Sequence, residues 1–182
     1  MPEKQFIYAV ARIRSQELLL LDASFIEQLL AARNFRECLQ LLRGKGWGKE
    51  DRLEPEQILA DEREKTWALM ADLVEDMSVF DVFLYANDYH NLKTAIKLVC
   101  TETADERPFI RNGTIEPERI MQAIEEQDYS LLPEPMRGPA QEAYEALIHT
   151  RDGQLCDKMI DRAALDAIYL AGKNQSNELI EQ

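Results

Sequence analysis

Apolar residues recur at three- and four-residue spacing along most of the chain, with polar residues between them. This is the pattern of amphipathic helices, so the sequence predicts an all-α fold. We expect Asp22 to end the first helix and Gly44 to end the third. Glu54-Pro55 is expected to begin a long helix, since proline at the first helical position loses no hydrogen bond. The predicted helices cover residues 6–20, a short pair beginning near Ser24 and Asn34, and then about 55–77, 79–100, 117–127, 139–150, 153–171 and 175–182.

Two capping signals predict where the short helices begin. Ser24 with Glu27, and Asn34 with Glu37, each place a capping oxygen three residues before a carboxylate. A similar signal near residue 78 separates the helix 55–77 from the helix 79–100. We expect these two helices to fold back on each other as a hairpin.

The segment 85–93 is unusual because polar residues interrupt a run that otherwise has the pattern of a core helix. The helical spacing predicts one buried stripe, with Asn87, Asn91 and Thr94 at its flank. The amides and His90 could form a contact surface for a partner. Alternatively, they bond neighbouring backbone and fix a helix crossing, which is the interpretation we favour. The predicted stripe consists of Val82, Tyr85, Ala86, Tyr89, Ile96 and Val99.

Composition and charge narrow the class of protein. The 182 residues are 46% hydrophobic and 30% charged, with 7 Gly and 7 Pro, which is typical of a globular domain and not of a fibrous or loop-rich chain. The formal net charge of -13 would repel phosphate backbones and anionic lipid surfaces. Nucleic acid is therefore not expected as a partner.

Three widely separated cysteines, Cys38, Cys100 and Cys156, indicate neither a disulfide framework nor a zinc site. We expect reduced thiols in the cytosol. The longest aliphatic run, residues 18–21, is too short to span a bilayer, and the N-terminus lacks the pattern of a signal peptide. Direct membrane insertion is not expected.

An enzyme is the rival class, and its best candidate site would be a metal-dependent hydrolase built from Asp88, His90, His149 and Asp152. The chain has 2 histidines, and neither stands at ligand spacing to another. We therefore expect no catalytic residue, metal or cofactor.

A weak internal repeat appears when residues 21–35 are shifted by 115 − 21 = 94 positions onto residues 115–129. Both copies read as a short amphipathic helix followed by an Asx cap, at Asn34 and Asp128, and then an aromatic residue. With the polar segment 101–113 as a link, the repeat predicts two similar lobes of helical hairpins, residues 1–104 and 105–182.

Three segments resemble the C-subunit family of archaeal-type (A-type) and bacterial vacuolar-type (V-type) ATP synthases, which is related to the d-subunit of eukaryotic vacuolar ATPases. Residues 8–14, with Glu17, are similar to the opening helix of that family, and residues 25–47 to its pair of short helices. Residues 87–93 resemble its most specific signature, Asp-aromatic-His-Asn-Leu-Lys. Asp157, Asp161, Asp166 and Tyr169 also resemble, more loosely, the acidic helix that the family carries in its second lobe.

The resemblance implies a non-catalytic socket subunit that joins a membrane rotor ring to the central shaft, on the cytoplasmic face of the membrane. It would serve ATP-coupled proton or sodium transport, with rotor-ring and central-stalk subunits as partners. Arg12 and Arg14 could face an acidic partner, or simply pair with Glu17 and other carboxylates. The alternative function is a helical-repeat adaptor unrelated to rotary ATPases. The candidate partner-binding or lobe-defining residues are Arg12, Arg14, Glu17, Asn87, His90, Asn91 and Lys93.

Members of this family have three lobes and are longer than 182 residues. The resemblance therefore implies that the second lobe is incomplete and that the chain is a truncated member or a fragment. A cut end would expose apolar surface, and self-association is then expected. The residues concerned are Ile168, Leu170, Leu179 and Ile180.

Overall fold

The computed structural model describes residues 7–48, 54–101 and 109–174. Within these ranges the secondary structure is helical, as the apolar spacing predicted, and the all-α fold class is confirmed. The chain forms two compact units, Met1–Met77 and Ser78–Gln182. The eight α-helices of the described ranges are α1 (Ile7–Glu17), α2 (Ala23–Leu30), α3 (Phe35–Gly44), α4 (Pro55–Leu73), α5 (Tyr85–Thr101), α6 (Pro117–Glu125), α7 (Glu134–Thr150) and α8 (Gly153–Asn174).

In the first unit, the helix boundaries follow from capping groups. The Asp22 carboxylate accepts a hydrogen bond from the Phe25 amide at 2.7 Å and begins α2, so Asp22 does not end the first helix and Ser24 is not the cap. Asn34 caps α3 as predicted, and its side chain accepts from the Glu37 amide at 3.0 Å. The Glu37 carboxylate accepts in turn from the Arg33 amide, at 2.7 Å.

The loop between α3 and α4 is held by polar contacts to α4. The Gly48 amide donates to the Glu62 carboxylate at 3.0 Å, and the Lys65 ammonium donates to the Gly46 carbonyl at 2.9 Å. Gly48 has a φ of +74° and lies directly against Ile58, so a side chain there would be strained and crowded. Pro55 begins α4 as predicted.

The second unit is built around α5, which packs on α6, α7 and α8. Helices α7 and α8 pack against each other, and α7 begins at Glu134, five residues before the predicted residue 139, with Pro139 inside the helix. Arg151, at φ 55°, makes the left-handed turn that ends α7. Fully buried side chains from all four helices form the core: Leu92, Ala95, Ile96, Ile120, Ala123, Ile124, Ala140, Ala143, Cys156 and Ile160.

Helix α5 starts later than the predicted residue 79, because residues Met77–Phe83 form a 3₁₀ helix instead. Its burial also differs from the predicted stripe. Ala86 is exposed, whereas Asn91 and Thr94, assigned to the flank, are buried. Helix α5 is covered by three neighbouring helices, so residues beside its apolar stripe are buried as well. The spacing of apolar residues within one helix does not show how many neighbours cover it.

The two compact units divide the chain at a different place from the predicted lobes, 1–104 and 105–182. The reason is that α5, assigned to the first lobe, shares its core with α6, α7 and α8. The lobes as repeated units, and the hairpin of residues 55–77 with 79–100, stay predictions. The helix predicted at 175–182 lies outside the described residues.

Candidate functional site

Helix α5 buries polar side chains in the middle of an apolar core. Asp88 is 1% exposed, Asn91 is 0% exposed and Thr94 is 2% exposed. A buried polar group is costly unless it is hydrogen-bonded, so each of these side chains needs a partner. The Thr94 hydroxyl donates to the carbonyl of His90, one helical turn earlier, at 3.0 Å.

The two amides of α5 bond to the backbone of the segment that precedes α6. Asn91 makes a paired contact with Ile110: its Nδ2 donates to the Ile110 carbonyl at 2.8 Å, and its Oδ1 accepts from the Ile110 amide at 2.8 Å. Asn87 Nδ2 donates to the Asn112 carbonyl at 2.6 Å. Side-chain bonds to backbone groups are what we expected if the polar residues of 85–93 have a structural role.

Asp88 holds the next part of the same segment. Its carboxylate accepts from the Thr114 amide at 2.9 Å, from the Thr114 hydroxyl at 2.6 Å and from the Ile115 amide at 3.2 Å. Gly113 allows this close approach, because a Cβ at that position would lie 2.2 Å from Asp88 Oδ1. We refer to Asn87, Asp88 and Asn91, with the backbone of residues 110–115, as the α5 network.

Burial raises the pKa of side chains at the start of α5, Asp88 and Tyr89 among them. It raises the pKa of Asp88 above its usual value, with a further contribution from Asp81, while the hydrogen bonds from Thr114 and Ile115 oppose the shift. Burial likewise raises the pKa of Tyr89 to about 12. The Tyr89 hydroxyl oxygen is buried and has no hydrogen-bond partner among the described residues.

Lysine ion pairs join α5 to α8. Lys93 Nζ lies 2.6 Å from the Asp161 carboxylate, and Lys97 Nζ lies 2.6 Å from the Asp157 carboxylate. The second pair is the better buried, with the Lys97 side chain 13% exposed. The acidic residues of the looser likeness thus include two that bind lysines of α5.

The predicted site residues do not form a single cluster. Asn87 and Asn91 belong to the α5 network, His90 is half-buried on the same helix, and Lys93 pairs with α8. The other three lie on α1, in the first compact unit. Arg14 pairs with Glu17 at 2.8 Å on the exposed surface, and Arg12 is exposed on the same helix.

Both carboxylates of the candidate hydrolase site, Asp88 and Asp152, accept hydrogen bonds from nearby backbone amides. Asp88 bonds to residues 114 and 115, and Asp152 accepts from the amides of Gln154 and Leu155 at the start of α8. In the ranges that the structure describes, no group of His, Cys, Asp and Glu has an arrangement suited to a metal ion.

Sequence reasoning missed three contributors to this region: Gly113, Thr114 and Lys97. Each makes its contact with a residue at least 25 positions away or on another helix, so helical spacing carries no signal for it. The only local hint was the Gly113-Thr114 pair at the end of a polar link, which is an ordinary loop sequence.

Comparison with protein families decides the identity of this scaffold. The family described as ATP synthase (C/AC39) subunit matches residues 9–182. The chain belongs to the ATP synthase C/AC39 subunit family. The family that the sequence suggested is therefore confirmed, and an adaptor unrelated to rotary ATPases is set aside.

Membership of the C/AC39 family makes this chain a subunit of a V/A-type ATPase complex. No curated protein and no solved structure matched the chain. Among the described helices, none combines the length and the apolar character that crossing a bilayer requires.

Proposed function

We propose that this chain is the socket subunit that links the membrane rotor ring to the central shaft of a rotary V/A-type ATPase. In this role it passes rotation between ATP chemistry and proton or sodium movement, and it catalyses no reaction itself. It works on the cytoplasmic face of the membrane. The observation that carries the proposal is the family match over residues 9–182.

The construction of the second unit supports a mechanical role. A part that transmits torque must keep its shape under load, and α5 is bound to α8 by two ion pairs and to residues 110–115 by the α5 network. Buried polar groups with satisfied bonds favour one packing arrangement over others. We assign Asn87 and Asn91 to this structural role, with Lys93 holding α8.

Exposed residues are the better candidates for partner contact. Arg12, on α1, is exposed and available to an acidic partner, whereas Arg14 and Glu17 already pair with each other. Leu170 on α8 is 59% exposed, and exposed apolar surface of this kind can support the self-association that the sequence suggested. Ile168 is half-buried, and Leu179 and Ile180 lie outside the described residues.

Reconstitution tests the linking role directly. The chain is produced with the other subunits of the ATPase from the same organism, including the rotor ring, the central stalk and the ATP-hydrolysing subunits. The complex is placed in sealed vesicles with and without this chain. We expect the chain to co-purify with both partners, and ATP hydrolysis to drive ion uptake only when it is present. Ion uptake that is equally well coupled without the chain would contradict the proposal.

A matched pair of variants separates contact from stability. Arg12→Gln should weaken partner binding and leave the unfolding free energy unchanged, because the side chain is exposed. Asn91→Ala should lower the unfolding free energy, with binding lost only in proportion to the unfolded fraction. If Asn91→Ala abolished binding with no change in stability, Asn91 would be a contact residue instead.

A further inference from the structure

Two arginines of the second unit converge on one open cavity of about 440 Å³. Arg119 comes from α6 and Arg137 from α7, and the cavity lies between the starts of these helices. We call it the arginine pocket. Its lining includes Thr114, Glu116, Arg119, Ser130, Leu131 and Arg137.

Both guanidinium groups are fixed in place by backbone carbonyls. Arg119 Nε donates to the Leu131 carbonyl at 2.9 Å, and Arg137 Nε donates to the Leu132 carbonyl at 2.8 Å. Arg137 Nη2 also reaches the Ser130 carbonyl at 3.3 Å. These bonds orient the guanidinium planes and reduce the entropy that each arginine would lose on binding a ligand.

Neither arginine forms an ion pair with a carboxylate of the described residues. This is unexpected in a chain with 34 acidic and 21 basic residues. A glutamate even stands three positions before each of them, Glu116 before Arg119 and Glu134 before Arg137, at a spacing that often gives helical ion pairs. Both arginines bond to carbonyls instead, and both retain Nη groups for an external oxyanion.

The starts of two helices lie at the same cavity, whose lining carries two arginines and one carboxylate, that of Glu116. Glu116 and Pro133 are the N-cap residues of α6 and α7, and neither makes a side-chain capping bond. The positive ends of two helices therefore add to the charge of the arginines at this cavity. One wall is also held rigidly, since Thr114 and Ile115 are bonded to Asp88 of the α5 network.

We propose that the arginine pocket binds a carboxylate-bearing segment of a protein partner in the ATPase complex. The occupant is a protein because the family places this chain in a multisubunit assembly, and it is acidic because the pocket offers two oriented guanidinium groups. Planar guanidinium groups bind carboxylates through paired hydrogen bonds, and arginines in such positions are frequent anchors of interfaces. The inference rests on the proposed function for the source of the partner, and adds the surface and the chemistry of the contact.

The test uses the full chain, ¹⁵N-labelled, and the double variant Arg119→Gln with Arg137→Gln. Arg162→Gln is the matched control. Arg162 is 86% exposed on α8, and its substitution removes the same kind of charge outside the pocket. Binding of the rotor-ring and central-stalk subunits is measured separately for each chain. We expect the double variant to bind one of them at least about tenfold more weakly, and the control to stay within about twofold of the native chain.

Two small probes report on the pocket itself. The Nε–H signals of Arg119 and Arg137 are followed by NMR during titration with N-acetylated hexaglutamate and, at matched ionic strength, with inorganic phosphate. We expect hexaglutamate to shift both signals and the shift to weaken with added salt. If phosphate shifts them and hexaglutamate does not, the pocket holds a free anion and the proposal is overturned.

The outcomes distinguish this inference from the proposed function. If the native chain binds a partner subunit and the double variant binds it equally well, the arginine pocket is excluded while the linking role stands. If the native chain binds neither subunit, the proposed function fails, and an absent hexaglutamate response would then remove the pocket as well. Should the glutamine variants unfold, Arg119→Lys with Arg137→Lys keeps the charge, and we expect it to lose the paired bonds and part of the affinity.

Discussion

Asn91 and Ile110 exchange two hydrogen bonds of 2.8 Å, one in each direction, between the middle of α5 and the segment before α6. The contact satisfies the fully buried side-chain amide of Asn91 and both backbone polar groups of Ile110, a residue of an irregular segment. It explains why an asparagine stands at a position that the neighbouring segments bury completely: no apolar side chain can satisfy both the Ile110 amide and its carbonyl.

Asn91→Ala should lower the free energy of unfolding of the second unit by about 1 to 3 kcal/mol, because it leaves the amide and carbonyl of Ile110 without partners. Both tryptophans, Trp47 and Trp67, belong to the first unit, so their fluorescence would not report this change. Urea unfolding is better followed by NMR of the buried methyl groups of Ile120 and Ile124. The exposed Gln122→Ala is the control, and equal stability of the two variants would contradict the prediction.

Gly113→Ala should destabilise the same region by about 1 to 3 kcal/mol, since its Cβ would lie 2.2 Å from Asp88 Oδ1 and the Asp88 carboxylate is anchored. The measurement is hydrogen exchange of the α5 amides. Gly44→Ala is a matched control at the end of α3, where nothing lies within 4 Å of the added atom. Unchanged exchange in Gly113→Ala would mean that the Asp88 contact can relax at little cost.

A double-mutant cycle on Lys97 and Asp157 should give a coupling energy of about 1 kcal/mol, because the Lys97 side chain is 13% exposed. The same cycle on Arg14 and Glu17, exposed by 74% and 44%, should give a value near zero that vanishes with added salt. Urea unfolding of each single and double variant provides both numbers. Equal coupling in the two cycles would show that burial does not strengthen the α5–α8 pair.

Asp88 should titrate above its usual value of 3.8 in the folded chain, because burial and Asp81 outweigh the hydrogen bonds from Thr114 and Ile115. Between pH 3.8 and the higher folded pKa, Asp88 is therefore protonated in the folded chain and ionised in the unfolded chain. This contribution to stability is fully present below pH 3.8 and is lost as the pH rises through the folded pKa. The carboxyl carbon shift of Asp88 gives the folded pKa, and Asp88→Asn supplies a chain without this titration. A midpoint at or below the usual value would contradict the prediction.

Tyr89→Phe should leave stability unchanged or raise it by up to about 1 kcal/mol, because the hydroxyl is buried with no hydrogen-bond partner among the described residues. Tyr144→Phe is the contrasting variant, since its hydroxyl accepts a hydrogen bond from Gln127 at 3.1 Å. Thermal unfolding followed by circular dichroism compares the two. A clear loss of stability in Tyr89→Phe would indicate that the hydroxyl has a partner, such as a buried water.

Local signals in the sequence were sufficient for most helices. The cap at Asn34, the start at Pro55 and the end at Gly44 depend on residues within one helical turn, and the structure has all three. Asp22 shows the limit of this reasoning. It and Ser24 are both good capping residues, and only the backbone conformation decides which oxygen reaches a free amide.

The polar residues of 85–93 could be recognised as exceptional from sequence, and their similarity to a family signature was visible there too. The groups to which these residues bond could not be recognised from the sequence. Ile110, Asn112 and Thr114 contribute mainly backbone groups, which every residue possesses and no sequence pattern marks.

The sequence by itself determined the helical class, most helix starts and ends, and the family, because these depend on spacing and on residues close together in the chain. The tertiary structure alone decided that Asn91 is buried, that α5 belongs with α6, α7 and α8, and that Arg119 and Arg137 meet at one cavity. The physical reason is that burial and charge pairing arise between segments that are distant in sequence. A helix has an apolar side whatever its neighbours are, but which polar groups lose water depends on which neighbours cover it.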